Sequence, residues 1–118
     1  MVKRGLAQVI NSIKEDSHDS VILVEGKRDK EALRKAGISD YAILQVSYKD
    51  ENKIYNELLL YNRDKVIVLY DNDRTGERKT AKLKNFLYGM GLKILDYRST
   101  LNKNGITYVE EIDNRLGL

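Results

Sequence analysis

The sequence predicts an α/β protein with a mostly parallel, four-stranded sheet and helices on both faces. Apolar runs of strand length alternate with segments of helical periodicity along the chain. Val21–Val24 and Val66–Leu69 are uninterrupted apolar runs, which are typical of parallel strands buried on both faces. Both runs lead into acidic residues with a glycine nearby, as expected where a strand turns into a helix.

The length and composition predict one domain. The chain has 118 residues, of which 42% are hydrophobic and 33% are charged. This balance supplies both a core and a hydrated surface, and it argues against intrinsic disorder. We expect a single domain over residues 1–118, with its core at about 20–96, an N-terminal helix over 3–15 and a C-terminal helix at about 107–116.

Residue spacing places the elements of the first half of the chain. Leu6, Val9 and Ile13 recur every three or four residues and predict the amphipathic N-terminal helix. The polar segment after the first apolar run is helical and ends at Gly37. The elements predicted here are a strand over 21–24, a helix over 27–36, a strand over 41–46 and a helix over 50–62.

The second half repeats the alternation of strand and helix. Its first strand ends at Asp71, and the helix that follows carries Thr80, Leu83, Leu87 and Met90 on its inner face. We expect Tyr108, Ile112 and Leu116 to face inward on the last helix. The elements predicted here are a strand over 65–70, a helix over 76–89, a strand over 91–95, a loop through 102–105 and a helix over 107–116.

Composition excludes several classes of chemistry. Cysteine is absent and His18 is the one histidine, which excludes thiolate nucleophiles, Cys-ligated zinc and a multi-histidine metal site within one chain. No apolar run approaches the roughly 20 residues of a membrane span, and the first residues lack the apolar segment of a secretory signal. We therefore expect a cytoplasmic protein with no membrane partner. The net charge of +3 permits a polyanionic partner without requiring one.

Carboxylates follow two of the predicted strands. Glu25 comes directly after the first strand, and Asp71 and Asp73 come after the third. Ligands of doubly wound sheets bind beyond the carboxyl ends of the strands, where the strand order reverses. If these two strands are neighbours, their ends lie about 5 Å apart and the three carboxylates converge. A hard divalent cation would neutralise them, so we predict a Mg²⁺ site that Mn²⁺ could also fill.

Each acidic residue also has a purely structural interpretation. An Asp at a strand-to-helix junction often caps the helix, and Asp71 or Asp73 could do so. Glu25 caps poorly, but it could form an incidental ion pair. Asp29 lies one helical turn after Glu25. It is either a residue that orients the site or a first-turn charge that the helix dipole favours.

Basic residues and glycines surround both junctions. Arg74, Arg78 and Lys82 recur every four residues and line one helix face if the helix begins at residue 74. Such a face suits phosphate, although a solvated helix face explains it equally well. Gly26 and Gly76 permit close approach of the backbone to a ligand, or a turn with positive φ. The predicted phosphate and nucleic-acid contacts are Gly26, Lys27, Arg28, Arg74, Gly76, Arg78, Lys79 and Lys82.

Two other families with acidic loops fit less well. Asp71–Thr75 has the form of the nucleophile loop of haloacid-dehalogenase-like phosphatases, but that loop normally follows the first strand and needs a long downstream sequence. A receiver domain needs an acidic pair after its first strand and a lysine after a fifth. Here Glu25 stands alone, and no clear fifth strand is present.

The segments Val21–Asp29 and Val66–Glu77 together resemble the Toprim domain. This domain is shared by topoisomerases, DnaG-type primases, RecR-type recombination proteins, OLD-family nucleases and ribonuclease M5-type maturases. The resemblance is strongest to small stand-alone Toprim proteins described as primase-like or ribonuclease M5-like. It implies a Rossmann-like fold and Mg²⁺ bound by the three carboxylates, with Glu25 as a general acid or base. Thr75 stands where topoisomerases tend to carry a third Asp, which favours the other branches.

Three functions are consistent with such a site. The first is Mg²⁺-dependent hydrolysis of phosphodiester bonds in structured RNA or DNA, with Glu25, Asp71 and Asp73 as the catalytic residues. The second is a non-catalytic nucleic-acid-binding subunit of a recombination, repair or processing complex. The third is primase-like nucleotidyl transfer, for which no separate nucleotide-binding motif is visible. A homodimer or partner proteins could enlarge the binding surface of so small a chain.

Overall fold

A four-stranded parallel sheet forms the centre of the computed structural model, which describes residues 5–118. The first residues of the helix predicted over 3–15 lie outside this range. The strands are β1 (Ser20–Val24), β2 (Ile43–Gln45), β3 (Lys65–Val68) and β4 (Lys93–Leu95). The helices are α1 (Leu6–Asp16), α2 (Lys27–Lys35), α3 (Glu51–Leu59), α4 (Arg74–Gly89), α5 (Arg98–Lys103) and α6 (Ile112–Arg115), with 3₁₀ turns at Asp40–Ala42 and Val109–Glu111.

The strand order is β2-β1-β3-β4. Because β1 and β3 are neighbours, with Leu23 opposite Val68, the condition for bringing the two acidic junctions together is met. Backbone pairing continues beyond the strands, since the Leu69 amide donates to the Leu23 carbonyl at 2.9 Å. The strand order reverses between β1 and β3, so both junctions follow the strands on either side of this switch point.

Two apolar layers cover the two faces of the sheet. On one face, α1, α2, α5 and α6 pack against alternate residues of β1 and β3. On the other face, α3 and α4 pack against the intervening residues of β1 and β3. The first layer includes Leu101, Ile106 and Ile112, which lie beyond the stretch 20–96. None of the helices described combines the length and apolar character needed to cross a membrane.

Three expectations for the second half of the chain are wrong. A helix, α5, runs as far as Lys103, whereas only a loop is predicted through 102–105. Tyr108 is 45% exposed, because the terminal helix begins with a 3₁₀ turn that directs Val109 inward instead. Met90 is 43% exposed, because α4 ends at Gly89 and the chain turns at Gly91 with φ of 85°.

Candidate functional site

Glu25 follows β1 directly and lines a cavity of about 570 Å³, together with residues of α3, α4 and the loop between β2 and α3. Its Oε1 atom is buried and has no hydrogen-bond partner in the part of the chain that the structure describes. Burial raises the pKa of Glu25, the nearby Lys79 ammonium lowers it, and the charges of Asp71 and Asp73 raise it further. An acid in these surroundings binds a proton or a cation more readily than a solvated glutamate does.

Asp71 is held rigidly at the end of β3. Its Oδ1 accepts a hydrogen bond from the Val109 amide at 2.9 Å. Its backbone carbonyl accepts a hydrogen bond from Nη2 of Arg98 at 2.8 Å, and Nε of the same guanidinium donates to the Tyr70 carbonyl at 3.2 Å. Burial raises the Asp71 pKa, and the Val109 hydrogen bond opposes this shift. The carboxylate position therefore depends on residues far along the chain.

Asp73 is the N-cap of α4. Its Oδ1 accepts a hydrogen bond from the Gly76 amide at 2.7 Å, which satisfies one of the free amides of the first turn. A methyl group on Gly76 would lie 2.1 Å from the Asp71 carbonyl oxygen. The absence of a side chain at Gly76 therefore lets α4 begin directly against the backbone of Asp71. The capping role considered for Asp73 is present, and it leaves a second carboxylate oxygen on the same side chain.

Asn72 connects the acidic loop to the C-terminal segment. Its Nδ2 donates to the carbonyls of Arg98 and Ile106, at 3.2 and 3.1 Å, and its amide donates to the Thr107 carbonyl at 2.7 Å. Sequence reasoning missed the roles of Asn72 and Arg98. No local pattern signals them, since the hydrogen-bond partners of their side chains are 26 to 34 residues away in the chain.

Asp29 combines the two roles considered for it. It is 7% exposed, and its Oδ2 accepts a hydrogen bond from the Gly26 amide at 3.0 Å, which caps α2. Burial and then the Asp71 charge raise its pKa to about 6. Asp29 therefore fixes the backbone that follows Glu25 and adds to the negative field at the switch point.

We expect Asp29→Asn to stabilise the metal-free protein at alkaline pH. The folded-state pKa of about 6 lies above the ordinary value of 3.8, so the Asp29 contribution to stability is full below pH 3.8 and is lost as the pH rises through 6. The variant should gain up to about 3 kcal/mol at pH 8 and almost nothing at pH 3.5. Urea unfolding in EDTA at the two pH values measures this difference.

Glu31→Gln is the matched control, because Glu31 is an exposed carboxylate of the same helix. It should leave the pH dependence of unfolding unchanged. Equal stability of Asp29→Asn and wild type at pH 8 would contradict the pKa assigned to Asp29.

The predicted basic contacts lie on the surface around the switch point. Because α4 begins at Arg74, the condition for a common face of Arg74, Arg78 and Lys82 is met. Lys82 forms an ion pair with Glu51 at 3.3 Å. Neither Gly26 nor Gly76 has a positive φ, so the turn explanation does not hold for either. The side chains exposed to solvent are Lys27, Arg28, Arg74, Arg78, Lys79 and Lys82.

The acidic residues suit a magnesium ion in chemistry but do not form a preassembled cage. Within residues 5–118, no three acidic or histidine side chains are arranged to hold a metal ion together. Glu25 lines the cavity beside α3 and α4, whereas Asp73 lines a separate cavity of about 320 Å³ beside Arg98. Mg²⁺ commonly uses one or two protein carboxylates and completes its shell with water and substrate phosphate. The buried, unpartnered oxygen of Glu25 fits that kind of site.

The fold and this site define a doubly wound α/β protein with acidic residues at its switch point. The family described as the Toprim domain matches residues 19–96, a segment that contains both acidic junctions. The chain belongs to the Toprim domain family, which confirms the predicted fold class and the resemblance seen in the sequence. Membership implies a metal-dependent function connected with nucleic acids.

Several proteins are similar to this chain over most of its length. A UPF0292 protein of Thermococcus sibiricus is 32% identical over 116 residues, 98% of this chain and 88% of that protein. A UPF0292 protein of Pyrococcus furiosus is 39% identical over 70 residues, 59% of this chain and 51% of that protein. The alignment thus spans about half the length of the Pyrococcus relative.

Two solved structures from Aquifex aeolicus share the fold. One protein superposes with a TM-score of 0.84 and 37% identity, and the match covers 92% of this chain and 98% of that chain. The primase, solved as its zinc-binding and RNA polymerase domains, superposes with a TM-score of 0.58 and 20% identity. That match covers 92% of this chain and 25% of the primase chain, so the likeness is one of fold.

Proposed function

We propose that this protein hydrolyses phosphodiester bonds in RNA or DNA with the help of Mg²⁺. The observation that carries the proposal is that Oε1 of Glu25 is buried without a hydrogen-bond partner. Glu25 follows β1, and the neighbouring strand β3 leads into Asp71 and Asp73. A buried carboxylate without a hydrogen bond is unfavourable unless a proton, a cation or a substrate group satisfies it. Perturbed acids at the switch point of a parallel sheet are candidates for catalysis.

Each residue has a chemical role in this proposal. A bound Mg²⁺ supplies charge neutralisation on the phosphate and activation of water. Asp71 and Asp73 hold the ion, because their Oδ1 atoms are fixed by Val109 and Gly76 and their second oxygens remain available as ligands. Glu25 shares the ion or transfers a proton, and its raised pKa favours the role in proton transfer.

Cations around the site hold the nucleic-acid backbone in this proposal. Lys79 lies near enough to Glu25 to lower its pKa, so it can also reach a phosphate bound there. Arg74 and Arg78 extend the positive surface along α4. Exposed cations of this kind bind phosphates without regard to sequence, and their affinity falls with salt concentration.

Four variants test the proposed activity with structured RNA and DNA substrates. We expect Glu25→Gln and Asp71→Asn to lower the cleavage rate in Mg²⁺ by about 100-fold or more. Glu15→Gln and Asp64→Asn are matched controls, because these exposed acids lie near the amino ends of β1 and β3, at the opposite edge of the sheet. Both controls should cleave at the wild-type rate, and EDTA should abolish cleavage by every variant.

Calorimetry with Mn²⁺ separates metal binding from catalysis. If Glu25 mainly transfers protons and is not a metal ligand, Asp71→Asn should weaken Mn²⁺ binding more than Glu25→Gln does. Equal cleavage by the wild type, Glu25→Gln and Asp71→Asn would refute the proposed hydrolysis.

A second function, nucleic-acid binding without catalysis, is favoured by one observation. The acidic side chains of the described residues do not form a cage of three metal ligands. This alternative predicts salt-sensitive binding with no turnover by the wild type. Primase-like nucleotidyl transfer is a third candidate, and incorporation of labelled nucleotides on a template would reveal it.

A further inference from the structure

The cavity beside Glu25 has the size and surroundings of a ligand site. Its volume of about 570 Å³ lies within the range of about 300–1,000 Å³ that is usual for small-molecule sites. Its lining includes the buried apolar residues Val46, Ile54 and Leu83 and the exposed Tyr48. Of the residues that line it, the proposed reaction uses Glu25 and Lys79 and gives the apolar ones no role.

Tyr48 has an unusual backbone and an unused ring. Its φ is 62°, in the left-handed region, and the residue is fully exposed to solvent. A bulky residue with this φ is a conformational outlier that costs about 1–3 kcal/mol. The ring makes no stacking contact within residues 5–118, so packing does not compensate for that cost. Outliers of this kind cluster at binding sites.

Two of the three lysines that line the cavity form ion pairs. Lys49 contacts Glu57 at 2.8 Å, and Lys82 contacts Glu51 at 3.3 Å. Lys79 forms none of the salt bridges found among the described residues. It lies close enough to Glu25 for its charge to lower the Glu25 pKa. The cavity therefore suits a flat, weakly charged group, and Lys79 suits an adjoining phosphate.

We propose that this cavity binds an unpaired base of a nucleic-acid strand, stacked on Tyr48, while the neighbouring phosphate lies at Lys79. The inference rests on the proposed function, and it specifies the substrate as single-stranded or as carrying an unpaired nucleotide. A base inside a duplex is stacked on its neighbours and cannot enter the cavity unless it is first extruded. Stacking on an aromatic ring tolerates any base, so the preference is for strand state and not for sequence.

Fluorescence anisotropy in EDTA tests this site without cleavage. The probes are a labelled 12-nucleotide single strand of mixed sequence and the blunt duplex of the same sequence, each as RNA and as DNA. We expect tighter binding to a single strand than to the duplexes. Tyr48→Ala should weaken single-strand binding by about 5- to 100-fold and leave duplex binding unchanged, whereas Tyr48→Phe should bind as the wild type does.

Two further variants exclude trivial effects. Tyr48→Asn removes the ring but keeps a residue that tolerates the left-handed backbone, so it should weaken binding as Tyr48→Ala does. Tyr88→Ala removes another exposed tyrosine, at the end of α4, and should bind as the wild type does. Wild-type affinity of Tyr48→Ala for single strands, or an equal loss for duplexes, would overturn this inference alone. Failure of the wild type to bind any probe, both in EDTA and with Ca²⁺ in place of Mg²⁺, would overturn the proposed function with it.

Discussion

Gly76→Ala should destabilise the protein by about 3 kcal/mol, although Gly→Ala within a helix normally stabilises. The added methyl group would lie 2.1 Å from the Asp71 carbonyl oxygen and 3.1 Å from Oδ1 of Asp73. Both neighbours are fixed, one by Arg98 and the other by its capping bond to the Gly76 amide. Relief of the clash must therefore move the start of α4 and break the cap, which alone contributes about 1 kcal/mol.

The same substitution should impair the site as well as the fold. Movement of the first turn of α4 displaces both aspartates, so Mn²⁺ binding by the folded fraction should weaken when it is measured by calorimetry at low temperature. Urea unfolding followed by circular dichroism gives the change in free energy.

Gly89→Ala is a matched control within the same helix. A methyl group at Gly89 would have no neighbour within 4 Å, so this variant should gain about 0.4–1 kcal/mol. Equal stability changes for the two variants would show that the contact with the Asp71 carbonyl does not restrict residue 76.

The acidic junctions could be predicted because their signals are local. The two uninterrupted apolar runs identify buried parallel strands, and the rule for switch points then places Glu25, Asp71 and Asp73 at one edge. The neighbouring positions of β1 and β3 confirm the step on which this argument depends. Burial is the main cause of the raised pKa values of Glu25 and Asp71, and the charges of neighbouring aspartates add to both shifts.

The support of the site could not be predicted, because it comes from contacts between distant residues. Arg98 lies 27 residues after Asp71, and no periodicity links the two. The segment around Asn102 is rich in polar residues and glycine, which predicts a loop, yet burial of Leu101 stabilises a short helix there. The sequence has eight tyrosines, and nothing in their spacing distinguishes Tyr48, whose backbone conformation and exposure are evident only in the folded chain.

Arg98→Ala should have the second large effect, a loss of about 2–4 kcal/mol of stability together with weaker metal binding. The guanidinium donates to the Tyr70 carbonyl at 3.2 Å and to the Asp71 carbonyl at 2.8 Å. A hydrogen bond from a charged donor contributes about 1.5–3 kcal/mol, and two such bonds from this half-buried side chain contribute less than twice that amount. Arg98→Lys should recover only part of this stability, because an ammonium group lacks the planar fork that reaches both carbonyls.

Lys103→Ala separates the role of Arg98 from a general effect on α5. Lys103 is an exposed cation of the same helix, so its removal should leave both unfolding and Mn²⁺ affinity unchanged. Amide chemical shifts provide the local measurement. The Asn72 amide donates to the Thr107 carbonyl and the Val109 amide donates to Oδ1 of Asp71. Both shifts should change in Arg98→Ala and stay the same in Lys103→Ala. If Arg98→Ala keeps the wild-type shifts and affinity, the C-terminal segment does not position Asp71. If both change as expected, residues beyond the matched Toprim segment complete its acidic site.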